Sequence, residues 1–135
     1  MRRPREPLNF YTHAIPALIA IPAAAILFLR SSTYIQFTAA VMYGICTVVL
    51  FSISAVYHGY PRTPKEIRFW QKMDHCCIYL MIAGSYTPTA LLVFDGGIRW
   101  ALFGTIWTIA LIGCSLKMAD RLQHKGISLT IYIAM

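Results

Sequence analysis

Between Gln36 and His58 the chain carries no Asp, Glu, Lys or Arg. A helix needs roughly 20 mainly apolar residues to cross the hydrocarbon core of a bilayer, and this stretch supplies them without interruption. Few soluble folds can hide such a segment. The rest of the sequence agrees: of 135 residues 58% are hydrophobic and 13% charged, with mean hydropathy +0.58, whereas soluble domains carry about 25% charged residues. Residues 1–135 therefore read as one all-α integral membrane domain, with room for four or five passes and no separate soluble domain.

The remaining runs follow from the same criterion. After the basic start at Arg2, Arg3 and Arg5, a first helix is expected over about 12–29. A signal peptide is the rival reading, since a basic flank precedes an apolar stretch and Ala23-Ala24-Ala25 offers small residues for cleavage; Pro16 and Pro22 inside the stretch speak against it. The second helix covers about 36–58 and is ended by Gly59-Tyr60-Pro61-Arg62-Thr63-Pro64. The third covers about 73–94, where Pro88 predicts a kink near Ser85, Tyr86 and Thr87, whose hydroxyls can bond the freed backbone groups. The fourth covers about 98–116, with Trp100 as an interfacial anchor. A fifth run starts at Ile127 and reaches only Met135, too short to cross, so the chain reads as four complete transmembrane helices plus the start of a fifth, a fragment or truncated product.

The formal net charge is +7, but the cations lie between apolar runs, where they meet lipid headgroups, and nucleic acid is not an expected partner. They are also unevenly shared. Arg2, Arg3 and Arg5 precede the first helix, Arg62, Lys65, Arg68 and Lys72 follow the second, and Lys117, Arg121 and Lys125 follow the fourth; the alternate connections hold only Arg30 and Arg99. Because cytoplasmic connections are enriched in Lys and Arg, the N-terminus is expected in the cytoplasm. Cys46, Cys76, Cys77 and Cys114 fall inside apolar segments without metal or redox spacing, and read as small buried side chains. Gly44, Gly84, Gly104 and Gly113 read as points of close helix packing, and Tyr57, Trp70, Trp100 and Trp107 as interface or packing residues.

That topology gives meaning to three polar residues. Ser54 and His58 are four apart, so they sit one turn apart on one helix face. Asp74, at the expected start of the third helix, shares their leaflet and can approach them if helices two and three pack side by side. A neutral histidine is a natural zinc ligand, a nearby carboxylate can orient its ring, and Ser54 can add a hydrogen bond. The bland reading is as simple: His58 and His75 lie among headgroups, Ser54 bonds back to its own helix, and Asp74 caps the third helix. Spacing alone leaves both open.

At these residues the sequence resembles the hemolysin III group of the progestin and adipoQ receptor family, which includes the adiponectin receptors. The resemblance rests on Ser54-x-x-x-His58, on Asp74-His75-x-x-Ile78-Tyr79, on Ile82-Ala83-Gly84-Ser85-Tyr86-Thr87-Pro88, and on Tyr11-Thr12-His13 before the first helix. It implies a seven-helix fold with a cytoplasmic N-terminus, of which this chain is the N-terminal part. It further implies a zinc ion held by His58 together with two histidines of a His-x-x-x-His motif in the seventh helix, with Asp74 on the zinc-bound water and Ser54 beside the site. This chain has no His-x-x-x-His; His13, His75 and His124 lack the spacing to replace it, and His124 reads as a loop residue. Since a catalytic zinc takes three protein ligands and a water, the chain as written is expected not to bind zinc.

Three functions remain in view. The first is a zinc-dependent lipid amidohydrolase of ceramidase type in the intact protein, with Asp74 and Ser54 assisting and a membrane lipid as substrate. The second is a receptor with a structural zinc, although the outward connections around Arg30 and Asp95 offer little docking surface. The third, pore formation, has least support, because no helix carries the charge-lined stripe of a wide aqueous pore.

Overall fold

The computed structural model describes residues 3–121, 130, 132 and 133. Among these, four helices follow one another: α1 (Pro7–Arg30), α2 (Tyr34–Gly59), α3 (Pro64–Val93) and α4 (Gly96–Met118). Each is long and apolar enough to cross a membrane, and each packs against its neighbour in sequence. The start of the fifth helix, expected from Ile127, lies largely outside the described residues; 130, 132 and 133 are helical.

Two helices begin earlier than hydropathy suggests, for a local reason in each case. α1 starts at Pro7 rather than near Thr12, because proline suits the first helical turn, where its missing N–H has no partner to lose. α3 starts at Pro64 rather than near Met73. Thr63 accepts from the Glu66 amide, and the Glu66 carboxylate accepts from the Thr63 and Arg62 amides, a complete capping box ahead of the proline. At about 1.5 Å per residue, the 30 residues of α3 run to ~45 Å, some 15 Å beyond the ~30 Å hydrocarbon core, so its polar first turns stand at the membrane face. Asp74 consequently lies well inside α3 and does not cap it.

Small residues hold the helices together. The interior is mostly Ala, Gly and Cys, with Ser54 and Thr87, and Tyr79 and Leu91 are the large side chains fully enclosed. Each helix pair meets at a glycine. A Cβ on Gly44 would lie 2.8 Å from the Ala24 Cβ of α1, one on Gly84 would lie 2.7 Å from the Cys46 Cβ of α2, and one on Gly113 would lie 2.7 Å from the Tyr79 ring of α3. These are close-approach points of the kind that drive helix association in lipid. Gly104 differs from expectation, since nothing described lies within 4 Å of the equivalent position; it faces outward. Large side chains such as Leu18, Ile21, Leu29, Ile98 and Leu111 are exposed, as a lipid-facing surface requires.

Pro88 is taken up within α3, which continues as helix to Val93. Its missing N–H frees the Gly84 carbonyl. The Ser85 and Thr87 hydroxyls do bond backbone, but they donate to the carbonyls of Ile82 and Ala83, each at 2.8 Å, and the Thr87 oxygen accepts from the Trp107 indole at 3.0 Å, tying α4 to α3. The four cysteines are free thiols, three of them buried.

Candidate functional site

The last two turns of α2 carry Ser54 and His58, and the helix's terminal carbonyls would point unsatisfied into the membrane face. The segment before α1 meets them. The Arg5 amide donates to the Gly59 carbonyl at 3.0 Å and the Glu6 amide to the His58 carbonyl at 2.9 Å. The Arg5 guanidinium donates to the Tyr57 carbonyl at 3.1 Å and lies 4.9 Å over the Tyr57 ring. Three consecutive carbonyls are thereby capped, with a cation at the negative end of the helix dipole. Phe10 closes over Gly59, where a Cβ would be 2.6 Å from its ring.

This strap brings a carboxylate to the histidine. Glu6 Oε2 lies 2.7 Å from His58 Nδ1, and Glu6 Oε1 lies 2.8 Å from Arg5. The Glu6 carboxyl is held below its ordinary value by the hydrogen bond from Asn9, then by that from His58, against the opposing cost of burial, with Arg5 adding attraction. An ionised carboxylate only accepts, so Nδ1 carries the proton, and in the neutral ring Nε2 is left as the free lone pair. His58 is thus oriented as metal-binding histidines commonly are, with a carboxylate behind the coordinating ring. The sequence reading sought that carboxylate in Asp74 and missed Glu6. Pro7 was the available signal: a helix starting there puts Glu6 at the same membrane face as the end of α2.

Ser54 is buried, and Asp74 is half-buried on α3. Gly84 against Cys46, and Met81 within 3.7 Å of Thr47, set an antiparallel register for α2 and α3. That register brings Asp74 level with residues 54–56, one turn deeper in the membrane than His58. Asp74 makes no salt bridge among the described residues.

The other histidines do not complete a metal centre. His13 stacks on His58, with ring centroids 5.5 Å apart and planes 12° apart, and its Nδ1 is buried without a hydrogen-bond partner. Lone pairs lie in the ring plane, so two near-parallel rings do not converge on one ion. The His75 carbonyl accepts from the Tyr132 hydroxyl at 3.4 Å, and His124 lies outside the described residues. Among the described residues no three His, Cys, Asp or Glu side chains cluster as a metal site would require. They fit one ligand of a zinc centre and not a whole one.

Membrane-length helices packed through small residues, with a half-buried histidine oriented at one face by a strap from the N-terminus, define a polytopic helical membrane protein with a polar site. The family model for Haemolysin-III related proteins matches residues 1–135, and the chain belongs to that family. It is similar to Hemolysin-3 of Bacillus cereus, 36% identical over 133 residues that make up 96% of this chain and 60% of the relative. It is also similar to a Hemolysin-3 homolog of Bacillus subtilis (strain 168), 29% identical over 137 residues, 96% of this chain and 62% of the relative. The monocyte to macrophage differentiation factor of Homo sapiens is 29% identical over 131 residues, 94% of this chain and 55% of the relative. The chain thus spans about three fifths of the length of the curated relatives it matches. No solved structure matches it.

Proposed function

We propose that His58 is one ligand of a zinc ion in a Haemolysin-III related protein of its relatives' full length, the other ligands coming from the part of the fold that this chain does not span. The observation that carries this reading is the Glu6–His58 contact of 2.7 Å, which leaves one ring nitrogen available and aims the ring. Bound zinc would supply a Lewis acid and an activated water, chemistry suited to hydrolysis of a lipid amide. The chain's own residues would position it: Glu6 fixes the ring of His58, Ser54 offers a hydroxyl one turn away, and Asp74, level with Ser54, offers a carboxylate as proton acceptor or donor. A substrate dissolved in the bilayer reaches such a site from the side. With the N-terminus in the cytoplasm, as the distribution of Lys and Arg favours, the site opens to the cytoplasmic leaflet.

Elemental analysis tests the reading. The chain is joined to the C-terminal portion of Bacillus cereus Hemolysin-3 to restore full length, and compared with the chain alone. Zinc is expected at one equivalent in the joined protein, absent from His58→Ala, and bound about 10- to 100-fold more weakly by Glu6→Ala. Absence of zinc from the joined protein would make His58 a residue of the headgroup layer with no metal role. Zinc-dependent release of fatty acid from an N-acyl lipid then separates the hydrolase from a receptor with structural zinc.

A further inference from the structure

Outside the Glu6–His58 contact, the same membrane face holds a cavity of about 610 Å³ lined by Arg3, Pro4, Phe10, Tyr11, Gly59, Tyr60 and Arg62. We propose that it binds the headgroup phosphate of an anionic glycerophospholipid, with the upper part of an acyl chain against its aromatic wall. Three observations support that occupant.

The first is charge. Glu6 is engaged with Arg5 and His58, and Glu66, held in the capping box of α3, offsets part of the Arg62 charge. The Arg3 side chain makes no salt bridge among the described residues. Arg62 donates one guanidinium nitrogen to the Arg3 carbonyl at 2.8 Å, which holds both residues at the rim, and a second, at 3.5 Å, to the neighbouring Pro61 carbonyl. Planar guanidinium groups at a water-accessible rim match phosphate oxygens.

The second is depth. The cavity lies between the N-terminal end of α1 and the C-terminal end of α2, two membrane-length helices, so it opens in the headgroup layer. Tyr11 and Tyr60, both exposed, are the amphipathic residues that populate that layer. The third is the apolar wall. Phe10 packs edge-on against Tyr11 and Tyr60, with centroids 5.2 and 6.0 Å away, and Gly59 leaves room for its ring. A soluble phosphate has no use for that wall, and a lipid does. The proposal does not depend on zinc at His58.

Native mass spectrometry of the detergent-purified chain with equimolar phosphatidylglycerol and phosphatidylcholine tests it. Phosphatidylglycerol should be retained preferentially, and Arg3→Gln should lower the preference about fivefold, the effect of one arginine near an anionic surface. Arg62→Gln should do the same, while Arg62→Lys, which keeps the charge, should retain most of it. Helical circular dichroism of each variant identifies any loss caused by unfolding. Equal retention of the two lipids by the parent chain would overturn the proposal. So would a preference unchanged in the folded Arg3→Gln, Arg62→Gln double variant, or complete displacement of phosphatidylglycerol by equimolar glycerol phosphate, which would make this a soluble phosphate site.

Discussion

Replacing Gly84 by alanine places a Cβ 2.7 Å from the Cys46 Cβ and 2.8 Å from its sulfur. Carbon atoms in contact prefer about 3.5–4.0 Å, so about 1 Å must be found somewhere. The Cys46 Cβ is fixed by its own backbone and cannot rotate away, so α2 and α3 themselves must part. Overpacking of this kind costs about 1–3 kcal/mol, offset by the ~1 kcal/mol by which alanine improves on glycine in a helix interior. Gly104→Ala carries the same propensity gain and meets nothing described within 4 Å. The two variants should therefore differ by ~1–3 kcal/mol, with Gly84→Ala the less stable. Unfolding in mixed micelles of rising dodecyl sulfate fraction, followed by tryptophan fluorescence, reads the difference. Adding Cys46→Gly to Gly84→Ala moves the small residue to the opposite helix and should restore most of the loss. Equal stability of the Gly84 and Gly104 variants, or no recovery in the double variant, would refute the packing argument.

Glu6→Gln should release the tautomer of His58. In the parent, nitrogen NMR should show the proton held at Nδ1, and in the variant that preference should be lost; an unchanged spectrum would remove Glu6 as the orienting group. Lys72 holds Asp120 at 2.6 Å, keeping its carboxyl below the ordinary 3.8 through that hydrogen bond first, against the opposing cost of desolvation. A depressed carboxylate contributes above its unfolded value and loses that contribution as pH falls through the folded one. Exchange protection of the Asp120 and Arg121 amides should therefore hold above pH 3.8 and weaken below it, while Asp120→Asn, which tolerates the same left-handed backbone, should show no such step. A reporter fused before Met1 should stay in the cytoplasm, and its translocation would invert the assignment made from Lys and Arg.

The four described helices and their order were readable because a spanning run must be long and apolar, and the chain has little sequence that is neither. The early start of α3 was less visible, since hydropathy marks only the part of a helix in hydrocarbon; Thr63, Pro64 and Glu66 carried the signal in their capping chemistry instead. Gly104 shows a different limit. Its sequence context resembles that of Gly113, and only packing reveals that one faces Tyr79 and the other faces outward. Ser54 and His58 could be paired from their spacing, and Asp74 placed in their leaflet from topology. Glu6 could not be paired with His58 from sequence, because 52 positions separate them and the strap between them has no periodic signature.

The strap explains why the site lies where it does. A membrane helix ending at the interface leaves carbonyls that must find donors, and α2 finds them in the Arg5 and Glu6 amides and the Arg5 guanidinium. Once that backbone pairing exists, the Glu6 side chain reaches His58 at no further cost in chain ordering, because both residues are already fixed by the cap. Capping and orientation are then separable by chemistry. Arg5 serves the carbonyls and reaches Glu6 only as a counter-ion, whereas Glu6 contributes its amide to the cap and its carboxylate to the ring. A change that neutralises Glu6 leaves its amide in place and removes only the orienting charge. A side chain held in this way inherits its precision from secondary structure, which the zinc role proposed for His58 would require in a mobile headgroup layer.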